Sequence, residues 1–310
     1  MALRIVVIGQ AAFAEKVLQG LIARGDDIAA VYCPPDAGAT LEPAKLDPLK
    51  SAARAAGIPC HQPPTYKSAA VRDEIAALVP ELIVLAYVTL IVPAAVIAIP
   101  SRGTICFHPS LLPRRRGGSA INWTLIEGDA KAGVTVFWTD AGIDTGPILL
   151  QREVEIGPDD SAGSFYYQRV FPVGVEAVIE SVALIDAGRA PRLIQDESLA
   201  SYEPLCRDAH AAIDWNTPAQ TVHNLIRGCD PQPGAHTAAG AGRLRLYESR
   251  RAESSGAPGT LLAIGSDGIT IATVDGAVRA GKARVDGTRD KRPAAEAAAA
   301  LGLSVGSRLG

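Results

Sequence analysis

Two short segments of this 310-residue chain carry residues that could do chemistry, and His108 sits in the first of them. It closes the apolar run of Thr104-Ile105-Cys106-Phe107-His108-Pro109-Ser110-Leu111-Leu112-Pro113. Such a run reads as a strand that delivers the imidazole to the C-terminal end of a sheet, where ligands of open α/β sheets bind. Pro109 and Pro113 then lock φ and take freedom out of the loop that holds the ring. A lone histidine is more often a satisfied structural residue than a catalyst, so this segment alone leaves both readings open. The second segment is Asp140-Ala141-Gly142-Ile143-Asp144-Thr145-Gly146-Pro147-Ile148-Leu149. Two acids and two glycines in seven residues fit an Asp-capped turn. They also fit a loop that presents a carboxylate. The loop follows a second strand, Val134 to Trp138, so its carboxylate is expected at the same sheet edge as His108 if the strands are neighbours. A carboxylate beside an imidazole favours the imidazolium, which is a usable general acid.

Between them lies Arg114-Arg115-Arg116-Gly117-Gly118, a basic loop ending in glycine. It reads either as solvated surface or as an electrostatic grip on an anionic substrate tail. It lacks the glycine spacing and the Lys-Ser/Thr of a phosphate-binding loop. Near the N-terminus, Gly9-Gln10-Ala11-Ala12-Phe13-Ala14 follows the first strand, but only Gly9 fits the three-glycine dinucleotide pattern. A tight strand-to-helix turn is expected there, not a nicotinamide site.

The elements that must position these residues alternate. Ile5 to Ile8 is a buried parallel strand. Residues 13–24 carry apolar side chains at helical spacing, closed by Gly25. Ile28 to Cys33 is a strand followed by a Pro/Gly-rich loop. Helices are expected over 46–56, 69–79 and 92–97, and strands over Leu82 to Ala86, Gly103 to Phe107 and Gly133 to Thr139. This βαβα order predicts an α/β fold: an open, mostly parallel, Rossmann-like sheet with helices on both faces. Residues 164–187 read as one long helix, and Leu193 to Tyr202 as an irregular linker. Past residue 204 short apolar runs (243–247, 259–264, 268–273) alternate with Gly-rich turns, which predicts a smaller C-terminal β-barrel domain. An Ala-rich helix is expected over 293–301. The expected boundaries are 1–203, including a linker at about 189–203, and 204–310.

Composition narrows the class. The net charge of −3 argues against a chain devoted to nucleic-acid phosphates. The five cysteines are scattered, with no C-x-x-C pair, so reduced thiols are expected and no metal site is implied. No stretch approaches the roughly 18 uninterrupted apolar residues of a bilayer span, and the N-terminus lacks a secretory leader pattern. A cytoplasmic protein with no membrane partner is expected.

Taken together, His108-Pro-Ser-Leu-Leu-Pro113, Gly118-Ser-Ala-Ile-Asn-Trp123 and Asp140-x-Gly-x-Asp-Thr-Gly146 resemble the folate-dependent formyltransferases. That family includes enzymes acting on glycinamide ribonucleotide, methionyl-tRNA and amino-sugars, and formyltetrahydrofolate hydrolases. The likeness continues through Ile213-Asp214-Trp215, Ile226-Arg227-Gly228 and Pro233-Gly234-Ala235. Ser119 to Gly128 and Phe171-Pro172-x-Gly174 are similar to the hydrolase domain of 10-formyltetrahydrofolate dehydrogenase. The resemblance implies 10-formyltetrahydrofolate as co-substrate. It implies that His108 acts on the formyl carbonyl or the departing N10, and that Asp144 orients or deprotonates the nucleophile. It further implies that Leu85, Ala86, Tyr87 and Val88, with Asp140, Ala141 and Gly142, grip the pteridine largely through backbone groups, and that Ser110 shapes the loop under the formyl site. Residues 204–310 resemble the family's C-terminal barrel domain, which in the transfer-RNA enzyme helps hold the acceptor.

One position departs from the transferases, which typically carry asparagine two residues before the histidine. Here it is Cys106. An amide aimed at a developing oxyanion is worth roughly 2.7–4 kcal/mol in catalysis, and a thiol is a weak donor. The hydrolase branch also lacks the asparagine, so Cys106 favours hydrolysis to formate and tetrahydrofolate; a reactive-thiol role for Cys106 is a minor reading. Transfer to an amine acceptor such as methionyl-tRNA or an amino-sugar is the alternative, with transfer RNA disfavoured by the acidic balance. A folate-binding protein with a weakened site is the third reading.

Overall fold

The computed structural model describes residues 2–36 and 46–310, so most of the Pro/Gly-rich stretch after Cys33 lies outside the described residues. In chain order the elements are β1 (Arg4–Gly9), α1 (Ala11–Arg24), β2 (Asp27–Tyr32), α2 (Pro48–Ala55), β3 (Cys60–His61), α3 (Ala69–Ala77), β4 (Leu82–Ala86), α4 (Ala94–Ile97), β5 (Thr104–His108), β6 (Arg116–Gly117), α5 (Ala120–Ile126), β7 (Ala132–Trp138) and β8 (Ile148–Val154). They continue with α6 (Ala162–Phe165), α7 (Phe171–Asp186), β9 (Tyr202–Glu203), α8 (Ala219–Gly228), β10 (Ala235–Ala239), β11 (Gly242–Ala252), β12 (Leu261–Gly265), β13 (Gly268–Ala272), β14 (Ala277–Val285), β15 (Arg292–Pro293) and α9 (Ala294–Ala300). By its contacts the chain divides into two units. The first comprises Met1–Arg116, Gly133–Val154 and Val170–Tyr202; the second comprises Gly117–Ala132, Glu155–Arg169 and Glu203–Gly310.

The first unit is built on a seven-stranded sheet in the order β3-β2-β1-β4-β5-β7-β8. The pairs β2–β3, β1–β2, β1–β4 and β4–β5 are parallel, and β7 runs antiparallel to β5. β1 and β4 are buried on both faces, which is why they read as continuous apolar runs. One face, with Val6, Ile8, Ile83 and Leu85, packs against Ile75 of α3 and Val96 of α4, and Cys106 borders this cluster. The other face meets α1 and α7. There Phe13 stacks on Phe107 with ring centroids 4.2 Å apart. Gly174 of α7 lies so close that a Cβ on it would sit 2.5 Å from the Phe107 ring. Gly9 is needed for a similar reason: a Cβ there would strike the Ala86 carbonyl where β1 runs beside β4.

The long helix expected over 164–187 is broken into α6, a π-helical turn over Tyr166–Val170, and α7. Pro172, in the first turn of α7, has no N–H to continue the α ladder backwards. β8 was not foreseen. It is an outer strand with alternating exposure and carries Gln151, Arg152 and Glu153.

The second unit carries a six-stranded antiparallel sheet, with β10-β11-β14-β13-β12 in sequence and β15 paired to β14. The C-terminal residues pair with both ends of it: Leu309 with Ala239 of β10, and Arg308 with Thr260 just before β12. α8, also not foreseen, turns Val222 and Ile226 into the core that Leu244, Leu246, Ile271 and Val278 line. Its polar residues His223, Asn224 and Arg227 are buried too. The Gly118–Trp123 motif opens α5 in this unit. There Asn122 Nδ2 donates to the carbonyls of Gly228 (2.7 Å) and Gln232 (3.0 Å). Two stretches of the sequence resemblance thus meet.

Candidate active site

β5 alternates its side chains, so Cys106 and His108 share one face of the sheet while Phe107 takes the other. His108 is 6% exposed. Its Nε2 lies 2.7 Å from the Arg115 carbonyl. A carbonyl only accepts, so Nε2 carries the proton and donates, and Nδ1 is the nitrogen left facing the site. Nδ1 lies 3.6 Å from Oδ2 of Asp144. The two residues singled out in the sequence are therefore brought together, on side chains 7% and 16% exposed.

The route by which they meet differs from the expected one. Because β7 is antiparallel to β5, Trp138 at the end of β7 lies beside Ile105, and Thr135 lies beside His108. The loop after β7 therefore starts at the opposite end of β5, where the Thr139 N–H donates to the Thr104 carbonyl at 2.9 Å. Four residue steps along β5 separate that point from His108, about 13 Å at the usual rise. The loop folds back across the sheet face to bring Asp144 to the imidazole. Asp144 is close enough to Cys106 to act on its thiol electrostatically.

The loop is internally braced. Asp140 Oδ1 accepts from the Gly142 N–H (2.9 Å) and from Thr145 Oγ1 (2.6 Å). Any Cβ on Gly146 would collide with the Trp138 carbonyl. Asp144 has φ 57°, Arg115 φ 60° and Tyr87 φ 61°. Left-handed backbone at non-glycine residues is costly and persists only where the surroundings enforce it. Here it occurs in three loops that follow β4, β5 and β7.

The loop after β5 is held from beneath by Thr135, which is fully buried. Its hydroxyl donates to the Ser110 carbonyl (2.6 Å) and accepts from the Leu112 N–H (3.1 Å). Ser110 Oγ donates to the Arg114 carbonyl at 2.8 Å, so this side chain closes the turn that presents Arg115 to His108. Leu85 pairs across the sheet with Cys106. Leu85 and Ala86 are buried, Val88 is part-buried and Tyr87 is exposed. Asp140, Ala141 and Gly142 lie in the loop that ends at Asp144.

Cys106 borders both buried clusters on this face. Burial first, and the Asp144 charge second, push its thiol well above the usual range. It is a neutral thiol at neutral pH, and a neutral thiol is a poor nucleophile. This argues against the reactive-thiol reading.

Within the basic loop Arg115 and Arg116 are buried while Arg114 is exposed. Arg116 donates to Glu197 (2.8 and 2.7 Å) and to Gln195 Oε1 (3.2 and 2.8 Å). The Glu197 bond raises the guanidinium's pKa further. Buried charge of this kind needs a fixed partner, and Glu197 and Gln195 supply it.

The segment Leu193 to Tyr202, read as a linker, is largely exposed but is tied down at Leu193, Gln195 and Ser201. Leu193 exchanges both backbone hydrogen bonds with Ile148 (2.7 and 2.9 Å). Gln195 Nε2 donates to the carbonyls of Asp144 (2.9 Å) and Gly146 (2.7 Å). The Ser201 carbonyl accepts from the Arg116 N–H and its hydroxyl from the Arg115 N–H, both at 2.9 Å. Gln195 and Ser201 were missed because they lie in a stretch with no apolar period. The available signal was a lone run of polar residues bounded by Leu193 and Tyr202. Beside this segment lies a cleft of about 360 Å³, lined by Arg116, Ile143, Thr145, Ala200, Ser201 and Tyr202. Among the described residues no cluster of three or more His, Cys, Asp or Glu could hold a metal, and no helix is long and apolar enough to cross a membrane.

The chain matches the family model for formyl transferase over residues 3–182 and that for the formyl transferase C-terminal domain over residues 206–296. It is 41% identical over 261 residues to the cytosolic 10-formyltetrahydrofolate dehydrogenase of Xenopus tropicalis, a match covering 83% of this chain and 28% of that protein. This chain thus spans little more than a quarter of that relative. It is 38% identical over 310 residues to the methionyl-tRNA formyltransferase of Trichlorobacter lovleyi, covering 99% of this chain and 96% of that one. Among solved structures it is similar in fold to HypX from Aquifex aeolicus in complex with tetrahydrofolic acid (TM-score 0.69, 21% identity, 96% of this chain and 47% of that one). It is likewise similar to WlaRD, a sugar 3N-formyl transferase in the presence of dTDP and 5-N-formyl-THF (TM-score 0.69, 18% identity, 93% and 100%). With both models matched in order and one relative aligned end to end, the chain belongs to the formyl transferase family.

Proposed function

We propose that this protein removes the formyl group of 10-formyltetrahydrofolate and passes it to water, giving formate and tetrahydrofolate. The observation that carries the reading is the His108–Asp144 pair, 3.6 Å apart on the face that also carries Cys106. Asp144 holds a water and takes its proton as the oxygen attacks the formyl carbon. Protonated His108, whose Nδ1–H points into the site, stabilises the tetrahedral oxyanion. The bond from carbon to N10 then breaks, N10 leaves with the proton that Asp144 took from the water, and Asp144 is a carboxylate again. The pteridine is held by the backbone of Leu85, Ala86, Tyr87 and Val88 and of Asp140, Ala141 and Gly142, with Ser110 shaping the loop beneath. Cys106 favours water as the acceptor, because a neutral thiol stands where an amide would otherwise bind the developing oxyanion. In this reading residues 1–203 form the catalytic domain and 204–310 the C-terminal domain of a cytoplasmic enzyme.

A second reading is favoured by one specific observation: the methionyl-tRNA formyltransferase relative aligns over 99% of this chain, including the C-terminal unit. In that case an amine replaces water at the same pair. The deciding experiment is incubation with 10-formyltetrahydrofolate, with and without methionyl-tRNA or an amino-sugar, measuring formate against N-formyl product. Formate equal to the tetrahydrofolate formed, without any acceptor, is the expected result. Formylated product with formate only at the uncatalysed rate would establish the transferase instead. Steep loss of that activity with salt would then point to RNA phosphates.

A further inference from the structure

We infer that Gln195 is a positioning residue for Asp144, fixing the carboxylate opposite His108; this rests on the reading of the pair given above. The orientation of the Gln195 amide is not ambiguous. A guanidinium only donates, so the atom facing Arg116 must be the carbonyl Oε1, at 3.2 Å from Nε and 2.8 Å from Nη2. Nε2 must then face the other way, where it donates to the carbonyls of Asp144 (2.9 Å) and Gly146 (2.7 Å). Both amide hydrogens and the amide oxygen are used, on a residue 4% exposed. Arg116 is fixed in turn by Glu197 at 2.8 and 2.7 Å.

The carbonyls that Gln195 grips are those of the left-handed residue, φ 57°, and of the glycine two residues on. A strained residue relaxes unless something enforces it, and two hydrogen bonds from a buried amide do so here. Released, the Asp144 backbone would move, and the carboxylate with it. Ser201, six residues after Gln195, bonds the Arg115 N–H, and the Arg115 carbonyl holds His108. One docked segment therefore reaches both halves of the pair and sets their separation.

The test is a double-mutant cycle with Gln195→Glu. This variant keeps the shape and the acceptor for Arg116, which neutralises it, but turns an oxygen toward the two loop carbonyls in place of the donor. Formate release should lose about tenfold to a hundredfold in kcat, the scale of a misplaced catalytic group, with KM for 10-formyltetrahydrofolate nearly unchanged. In the Asp144→Asn background the same change should have little further effect, because its only route is through that carboxylate. Amide hydrogen exchange over residues 142–146 should speed up while the β1 and β4 amides stay protected. Gln195→Met, which removes both ends of the bridge, should show the same exchange pattern. Equal losses in both backgrounds, a rise in KM with kcat kept, or unchanged exchange in the loop would each overturn the inference. If instead Asp144→Asn retains full turnover, the functional reading fails while the loop exchange still decides whether Gln195 clamps the loop.

Discussion

The Nε2–H of His108 donates to the carbonyl oxygen of Arg115 at 2.7 Å, and that bond leaves only Nδ1 for chemistry. Asp144 Oδ2 stands 3.6 Å from Nδ1, so the acid and the base of the proposed reaction address the same point. The hydrogen bond comes from the backbone of a residue whose own φ is 60°. The ring orientation is thus set by a turn and not by a side chain, and no substitution at Arg115 that preserves the turn should rotate the imidazole.

Asp144→Asn keeps the shape of the side chain and removes its charge and basicity. Turnover of 10-formyltetrahydrofolate should fall by about 10²–10⁴, the usual worth of a general base, while the folded state survives because Gln195 grips the Asp144 backbone. His108→Ala should cost a similar factor, and the double variant little more than either, since the two act as one unit. Steady-state formate release checks this. Losses that multiply would mean the residues act independently.

Cys106→Asn places an amide on the strand face that carries His108. Its N–H should stabilise the oxyanion formed when the formyl carbon is attacked. Expected is a gain in formyl loss of about tenfold to a hundredfold, short of the full oxyanion-hole value because the larger side chain must displace neighbours in two buried clusters. The informative readout is the ratio of N-formyl product to formate with an amine present. A ratio that does not move would show that residue 106 does not govern the choice between water and amine.

How far this site could be read from the residues varied with the kind of signal. His108 and Asp144 announced themselves because one ends a strand at a proline-rich turn and the other sits in a glycine-dense loop after a strand, and chemistry needs those types there. The parallel strands β1, β2 and β4 were legible for a related reason: burial on both faces demands uninterrupted apolar residues. What could not be read was direction. Nothing in Val134 to Trp138 says that β7 runs against β5, so the return of the Asp144 loop to His108 was not recoverable from sequence. Gln195 and Ser201 were invisible for another cause. Their bonds go to backbone carbonyls and amides distant in the chain, and backbone partners leave no trace in residue type. The Arg114 to Gly118 loop was half legible, because charge looks the same on paper whether it faces solvent, as at Arg114, or a buried glutamine, as at Arg116.

Gly174→Ala tests how tightly α7 is pressed onto the sheet beneath His108. The added methyl would lie 2.5 Å from the Phe107 ring, and Phe107 is stacked on Phe13. The ring cannot retreat without disturbing that stack. Overpacking of this sort costs about 1–3 kcal/mol. A lower Tm, with formate release reduced because Phe107 is the neighbour of His108 in β5, is the expected outcome. An unchanged Tm would mean the interface between α7 and β5 yields more easily than its geometry implies.

The acid limit of the second unit should be set by Arg245. This buried residue bonds Asp286 Oδ1 at 2.6 Å and is also paired with Asp208. The bond from Arg245 holds the Asp208 carboxyl below its ordinary range. At Asp286 burial works in the opposite direction, but the bonds from Arg245 and Arg243 prevail and its pKa is also lowered. A carboxylate whose folded pKa lies below its unfolded value stabilises the fold above the unfolded pKa, near 4, and loses that contribution as pH falls through the folded value. Arg245→Met should therefore cost about 1–2 kcal/mol at pH 7, less than a fully buried pair because Asp208 is half exposed. The gap between wild type and variant should stay constant down to about pH 5 and close below pH 4. Denaturant melts followed by Trp215, in the core of this unit, measure it. A gap that persists undiminished at pH 2 would show that Arg245 contributes by packing and not through its two carboxylates.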